Sequence, residues 1–212
     1  MPIKSSASPL GYTRSITQEI GRTSMAHKSL DIVRVTDLSI LRQIGLLRAD
    51  VWQNEKPTMS PLSENGIWLD ELDRYEHMTQ YAVLHKGKVV AAARLSLHDR
   101  SVVVPYADEF APYDLCLGNL YGYISRLVVH QDFRGQGLAR RLDMLRLHDA
   151  AAHGANVVIA LALPYRVEPL KKIGFTYFGP SGVEVSKQRG IQVHSHVMAH
   201  DMTHPFLKTV EA

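Results

Sequence analysis

The amino-acid sequence predicts an α/β domain in which a mixed sheet carries helices on its faces. Three stretches support this. "YAVLHKGKVVAAARLSLHD" (81–99) holds two apolar runs around a glycine and reads as a β-hairpin. "LYGYISRLVVH" (120–130) and "ANVVIALAL" (155–163) are apolar runs of strand length, with a helix-period segment between them. Strand, helix and strand in series imply a crossover helix packed back onto the sheet.

The chain divides into a polar, Ser/Thr-rich arm over residues 1–28 and a folded body over 29–212. In "VTDLSILRQIGLLRADVW", Thr36 or Asp37 is placed to cap a helix whose Ile40, Ile44, Leu47 and Val51 share one face. "QNEKPTMSPLSENG" then reads as a loop, and "IWLDELDRYEH" as a short helix or turn carrying four acids. The hairpin bends over His85 to Lys88, where Gly87 suits a positive φ. "LARRLDMLRLHDAAAHG" is a helix with Leu138, Leu142, Leu145 and Ala152 on one stripe and Gly154 as its stop. Asp149 interrupts that stripe, so the last two turns are expected nearer to solvent. "PYRVEPLKKIG" suits a short helix despite Pro169, and "FTYFG" and "IQVHSHVMA" suit closing strands. The element order is therefore helix, hairpin, strand, helix, strand, helix, strand, strand.

A hydrophobic share of 45% with 21% charged residues is ordinary globular composition. A net charge of +3 is too small to argue for a nucleic-acid partner. The single cysteine, Cys116, excludes a disulfide within the chain, and a reducing, cytoplasmic location is the expectation. No apolar run approaches the ~20 residues a membrane span needs, and the first residues lack the apolar core of a secretory signal.

The chemistry concentrates in "HQDFRGQGLARRLDML" (130–145), where Gly135 and Gly137 stand between a strand and the first turn of a helix. Unpaired N–H groups and the helix dipole make such a turn an anion site, and glycines let a phosphate approach the backbone. Arg140 stands where a dinucleotide fingerprint would need its third glycine, and no Gly-Lys-Ser/Thr follows as in a P-loop. The stretch Arg134-Gly135-Gln136-Gly137-Leu138-Ala139 resembles the R/Q-x-x-G-x-G/A signature of the GNAT superfamily of N-acetyltransferases. "PLKKIGFTYFG" is similar to that superfamily's closing helix and strand, and the likeness is strongest over roughly 120–180.

This resemblance implies a mixed, mostly antiparallel sheet with helices on both faces, and a coenzyme A pyrophosphate held by Arg134 to Ala139, with Arg140 near its 3′-phosphate. Acetyl-CoA or a longer acyl-CoA would be the donor substrate, and no metal is needed. The thioester would lie along Leu127, Val128 and Val129, where a backbone N–H stabilises the oxyanion. Two family positions are changed. The strand 121–129 has no glutamate to act as base, and Leu170 occupies the place of the tyrosine acid. Tyr165, one helical turn earlier, is the candidate proton donor to the leaving thiolate, with core packing as its alternative role.

Upstream, "ELDRYEHMTQYAVL", "AAARLSLHD" and "YISRLVV" resemble, in that order, the acyl-homoserine lactone synthases and N-acyl amino acid synthases. On this likeness Glu71, Asp73 and Glu76 match an acidic triad, Glu71 being a candidate catalytic acid or base. Arg94 matches a strand-end arginine, Ser125 and Arg126 an E-x-S-R motif with Tyr123 in the glutamate place, and Arg48 and Trp52 a helical pair. Arg94 and Arg126 sit in apolar strands, where an unpaired charge is costly, so they need acidic partners. Together these residues suit an acceptor pocket for an amine such as an amino acid, with an arginine holding its carboxylate by two bonds. A solvated acidic helix face is the plainer reading of "DELDRYEH".

Trp52 and Trp68 read as pocket or core aromatics. Arg140, Arg141 and Arg146 read as the solvated basic face of the helix. His194, His196, His200 and His204 form a histidine-rich end that fits a half-exposed strand better than a metal site. The reading is an N-acyltransferase that moves an acetyl or longer acyl group from acyl-CoA to a small-molecule amine. Its alternatives are a lactone or N-acyl amino acid synthase fed by acyl carrier protein, docked on Arg134 to Arg146, and a non-catalytic acyl-CoA sensor. A homodimer is compatible with the sequence, which leaves assembly open.

Overall fold

The computed structural model describes residues 30–55, 65–99, 106–115, 117–188 and 191–203; the 1–28 arm, Cys116 and His204 lie outside them. Strands β1 (Asp31–Arg34), β2 (Met78–His85), β3 (Lys88–Asp99), β4 (Leu120–Val129), β5 (Val157–Ala162), β6 (Thr176–Gln188) and β7 (Ile191–Asp201) form one sheet in the order β1-β2-β3-β4-β5-β7-β6. Only the β4–β5 pair is parallel. The helices are α1 (Leu38–Glu55), α2 (Ala107–Phe110), α3 (Leu138–Ala152) and α4 (Pro164–Lys171), with a 3₁₀ turn at Glu71–Arg74. Among the described residues no helix is long and apolar enough to cross a membrane.

The two faces of the sheet follow the period-two alternation of its strands. Ala82, Ala92 and Val128 pack with Ile44, Leu47 and Val51 of α1. Their neighbours Val83, Ala91 and Ala93 pack instead with Leu138, Leu142 and Leu147 of α3. Asp37 caps α1 through the Ser39 N–H, 2.6 Å from its Oδ1. The β2–β3 turn places both Lys86 (φ 51°) and Gly87 (φ 75°) in the left-handed region, the geometry of a two-residue hairpin.

Three elements differ from expectation. The sheet begins one strand earlier, at β1, whose four residues are too short to show a period. Helix α2 lies between β3 and β4, and β6 extends far beyond "FTYFG". The end of α3 also differs: Asp149 is buried, not near solvent, because Tyr81 Oη donates to it over 2.6 Å and Arg34 Nε over 2.8 Å. Arg146, expected in solvent, is 2% exposed.

Two irregularities of β4 shape the site. Ala92 pairs with Val128 but Arg94 with Ser125, so Arg126 and Leu127 together stand opposite Ala93 as a β-bulge. Arg126 holds φ at 54°, a conformation costly for any residue with a Cβ. Further, β4 pairs with β5 only over Tyr121–Tyr123 and Val157–Ile159. Beyond that point the two strands part, and a cleft opens between them.

Candidate active site

The cleft runs between Ile124–Leu127 of β4 and Ala160–Ala162 of β5 with the following Leu163, and Trp52 of α1, Asp143 and Arg146 of α3, and Tyr165, Arg166 and Leu170 of α4 complete its wall. Parted parallel strands leave backbone groups that no neighbouring strand pairs, and these are suited to an extended ligand arm.

At the head of α3, Gly135 (φ 75°) and Gly137 (φ 74°) both adopt left-handed backbone, and Gly137 is the N-cap residue just before the helix. A Cβ on either glycine would meet nothing within 4 Å, so space lies open over the helix N-terminus. The glycines are required by backbone conformation, and the N–H groups of the first turn face that space. Arg134 Nε donates to the Val129 carbonyl over 3.2 Å, which ties the turn to the end of β4. Arg134, Gln136 and Arg140 are exposed, Ala139 is half-buried, and Leu138 anchors the turn in the core.

On the α1 side lies a buried charge network. Arg48 donates to Asp73 over 2.8 Å and to Gln80 over 3.0 Å, and Gln80 donates to Asp73. Arg94 donates to Asp73 over 2.7 Å, to Asp70 over 2.5 Å and to Ser125 Oγ over 3.1 Å. Arg126 donates to Asp70 over 2.8 Å and lies over the rings of Trp68 (5.1 Å) and Trp52 (5.9 Å), which themselves meet edge to face. Three guanidinium groups thus meet two carboxylates. Burial lowers the Arg48 pKa to about 10 although Asp73 opposes this. Burial pushes Asp70 up, but Arg94 and Arg126 outweigh it and hold the carboxyl at about 2. Asp70 is therefore a fixed anion and a poor proton acceptor.

Of the residues singled out in the sequence, Arg48, Asp73, Arg94, Ser125 and Arg126 are brought together here, with Trp52 beside them. Glu71 and Glu76 are exposed on the surface of the 3₁₀ region. The acid that joins Asp73 is Asp70; the D-x-x-D spacing, which puts both acids at one end of a short turn, is the signal that could have found it. Leu127 lines the cleft, whereas Val128 is in the α1 core and Val129 packs toward α3. Tyr165 borders the cleft and is 66% exposed. Among the described residues no group of three or more His, Cys, Asp or Glu is placed to hold a metal. His200 is buried, with Nδ1 2.9 Å from the Asp201 carbonyl.

Further along β3, His98 Nε2 lies 2.8 Å from Ser96 Oγ, and its ring stacks on Tyr75 and Tyr121. Burial, then His77 and Arg94, lower its pKa to about 4. The folded protein thus refuses a proton that the unfolded chain accepts near pH 6.5, so stability is complete above that pH and falls as pH drops toward 4. Thermal denaturation between pH 7 and 4.5 should show this loss. In His98→Asn the melting temperature should depend less on pH; an unchanged pH dependence would remove His98 as its source.

A sequence model of the Acetyltransferase (GNAT) family matches residues 47–168, which span the network, the glycine turn and most of α4. A search of curated protein sequences returns no match. Similar solved structures include FeeM, an N-acyl amino acid synthase from uncultured soil microbes, with TM-score 0.62 and 10% identity over 83% of this chain and 92% of that one. A CoA-dependent acyl-homoserine lactone synthase, BjaI, with SAM and isopentyl-CoA, aligns with TM-score 0.63 and 18% identity over 82% and 84%. An acyl-CoA N-acyltransferase from Pseudomonas aeruginosa aligns with TM-score 0.56 and 20% identity over 81% and 99%. At these identities the likeness concerns the fold, and it extends over nearly the whole of each relative. The family match, covering more than half of the sequence with both the charge network and the glycine turn, places the chain in the Acetyltransferase (GNAT) family.

Proposed function

We propose that the protein transfers an acetyl or longer acyl group from acyl-CoA to the amine of a small molecule that bears a carboxylate, such as an amino acid. The carrying observation is the course of the cleft. It runs between the parted strands β4 and β5 to Arg126, which lies over the paired tryptophans, and the open glycine turn is tied to the end of β4 through Arg134. Arg134 to Ala139 bind the pyrophosphate, with Arg140 beside the 3′-phosphate. The pantetheine arm pairs along the parted strands, and the backbone at Leu127 to Val129 receives the thioester oxygen. Holding amine and thioester together supplies much of the rate.

Arg126 is the anchor for the acceptor carboxylate. Its guanidinium is already stacked and desolvated, and a ligand carboxylate can share it with Asp70 by charge-assisted hydrogen bonds. Arg48, Arg94 and Asp73 fix the wall behind it, and Ser125 steadies Arg94. Glu71 and Glu76, at the surface of the same turn, attract the incoming amine. Asp70 is too acidic to act as base, so the amine proton passes to water or to Glu71, and Tyr165 at the cleft edge protonates the leaving thiolate.

A second reading is favoured by the exposed Arg134, Arg140 and Arg141 at the head of α3, which suit the acidic surface of an acyl carrier protein. Titration of the purified protein with coenzyme A, acetyl-CoA and a long-chain acyl-CoA tests both, followed by amine-dependent thiol release. Micromolar affinity, about −8 kcal/mol, with turnover is the expected result. Binding without turnover on any amine leaves an acyl-CoA sensor. Absence of binding to all three sinks the coenzyme A donor and favours the carrier protein.

A further inference from the structure

Arg146 is among the largest side chains wholly buried, yet the charge network at the acceptor side does not include it. It reaches from α3 into the β-bulge of the sheet. One of its terminal nitrogens, Nη1, donates to two carbonyls at once, Arg94 O at 3.1 Å and Ser125 O at 3.2 Å. These are the residues paired where the register shifts, on the Arg126 side of the bulge. The other two nitrogens also donate: Nε to the Leu142 carbonyl at 3.4 Å, and Nη2 to Asp143. Arg166 of α4 donates to the other oxygen of Asp143 over 2.5 Å. A continuous chain of bonds therefore joins α4, α3 and the bulge, and all three charged groups border the cleft.

A buried arginine so arranged is expensive to desolvate, and hydrophobic packing would serve stability as well. Its geometry indicates a different benefit. A bulge frees carbonyls from the ladder, and one nitrogen of a guanidinium can hold two of them while the rest of the planar group is fixed by Asp143 and the Leu142 carbonyl, which an apolar side chain cannot do. Immediately after Ser125, Arg126 takes its left-handed φ of 54°, a state that persists only where its surroundings over-determine it. The same turn of backbone sends Arg126 to the tryptophans and Leu127 to the cleft wall.

We propose that Arg146, oriented by Asp143 and Arg166, is a positioning residue for acyl transfer: it clamps the bulge so that Arg126 and the backbone at Leu127 keep their places on either side of the reacting centre. The inference rests on the acyltransferase reading. It predicts an effect on turnover larger than the effect on donor affinity, since the glycine turn lies outside the clamp.

The test compares Arg146→Lys and Arg166→Gln with the unaltered protein. A lysine keeps the charge but not the planar fork. Three quantities are measured: coenzyme A affinity, kcat with the best amine, and tryptophan emission, which reports on Arg126 because Trp52 and Trp68 are the chain's two tryptophans. Arg146→Lys should retain coenzyme A affinity within about threefold, lose kcat on the order of 10- to 100-fold, and shift the emission. Arg166→Gln, which leaves Arg146 in place and alters a partly exposed side chain, should give a smaller change of the same kind and serves if the first variant does not fold. Unchanged kcat and emission in a folded variant would overturn the proposal, as would equal losses of kcat and affinity. Absence of turnover in the unaltered protein rejects the acyltransferase reading itself, and the emission shift then still decides whether Arg146 holds Arg126.

Discussion

Replacing Gly137 by valine should weaken coenzyme A binding by at least about 100-fold, close to 3 kcal/mol, while the protein stays folded. Two effects combine. A β-branched residue at a φ of 74° is strained, so the first turn of α3 shifts. The new side chain also stands in the open space over that turn, where nothing now lies within 4 Å of a Cβ. Anion sites of this kind depend on several N–H groups converging on one point, so a small shift loses more than one bond. Gly87→Val is the matched control. Gly87 has φ of 75° and equally open surroundings, but it lies in the β2–β3 turn and not in the turn that opens α3. Its change should lower stability without altering affinity. Equal affinities in the two variants would show that the turn at Gly137 does not hold the phosphates.

The second large effect is on stability. Asp73→Asn should destabilise the protein by about 3–5 kcal/mol, read by urea denaturation. The amide has the carboxylate's shape, so no cavity is created. What is lost is the negative charge between Arg48 and Arg94, whose side chains are 1% and 2% exposed. Asp73 also accepts from the Asp70 N–H at 2.8 Å and from Gln80, so the turn bearing Asp70 loses an anchor with it. With the charge gone, the buried Arg48 and Arg94 and the half-buried Arg126 have Asp70 as the one remaining carboxylate of the network. A loss below about 1 kcal/mol would mean that water or a backbone shift solvates the arginines, and that the network is less closed than its burial implies.

The glycine turn and the charged strands were legible in the sequence for a common reason: each breaks a local rule. Glycines at a helix start and arginines inside apolar runs are unfavourable unless something specific compensates: the glycines hold left-handed backbone and the arginines meet Asp70 and Asp73. The acidic partner was harder to identify. "LDELDRYEH" offers Asp70, Glu71, Asp73 and Glu76 within one short stretch, and spacing alone ranks none of them. The 3₁₀ turn at Glu71–Arg74 decides by direction, sending Asp70 and Asp73 toward Arg94 and leaving Glu71 and Glu76 at the surface. Arg146 and Asp149 show the opposite failure. Charged residues in a helix with a leucine stripe read as its solvent side, yet both are buried, each with a partner distant in sequence or a carbonyl exposed by the bulge.

By itself, then, the sequence determined the strand-turn-helix-strand core, the two glycines of the turn that opens α3 and the arginines that must be paired. Periodicity and backbone preference are local properties, readable within a dozen residues. The tertiary structure alone decided the β4 bulge, the parting of β4 from β5, the choice of Asp70 and the inward turn of Arg146. Each depends on groups brought together across the sheet from far along the chain, and no local pattern carries the direction in which a buried charge will find its partner.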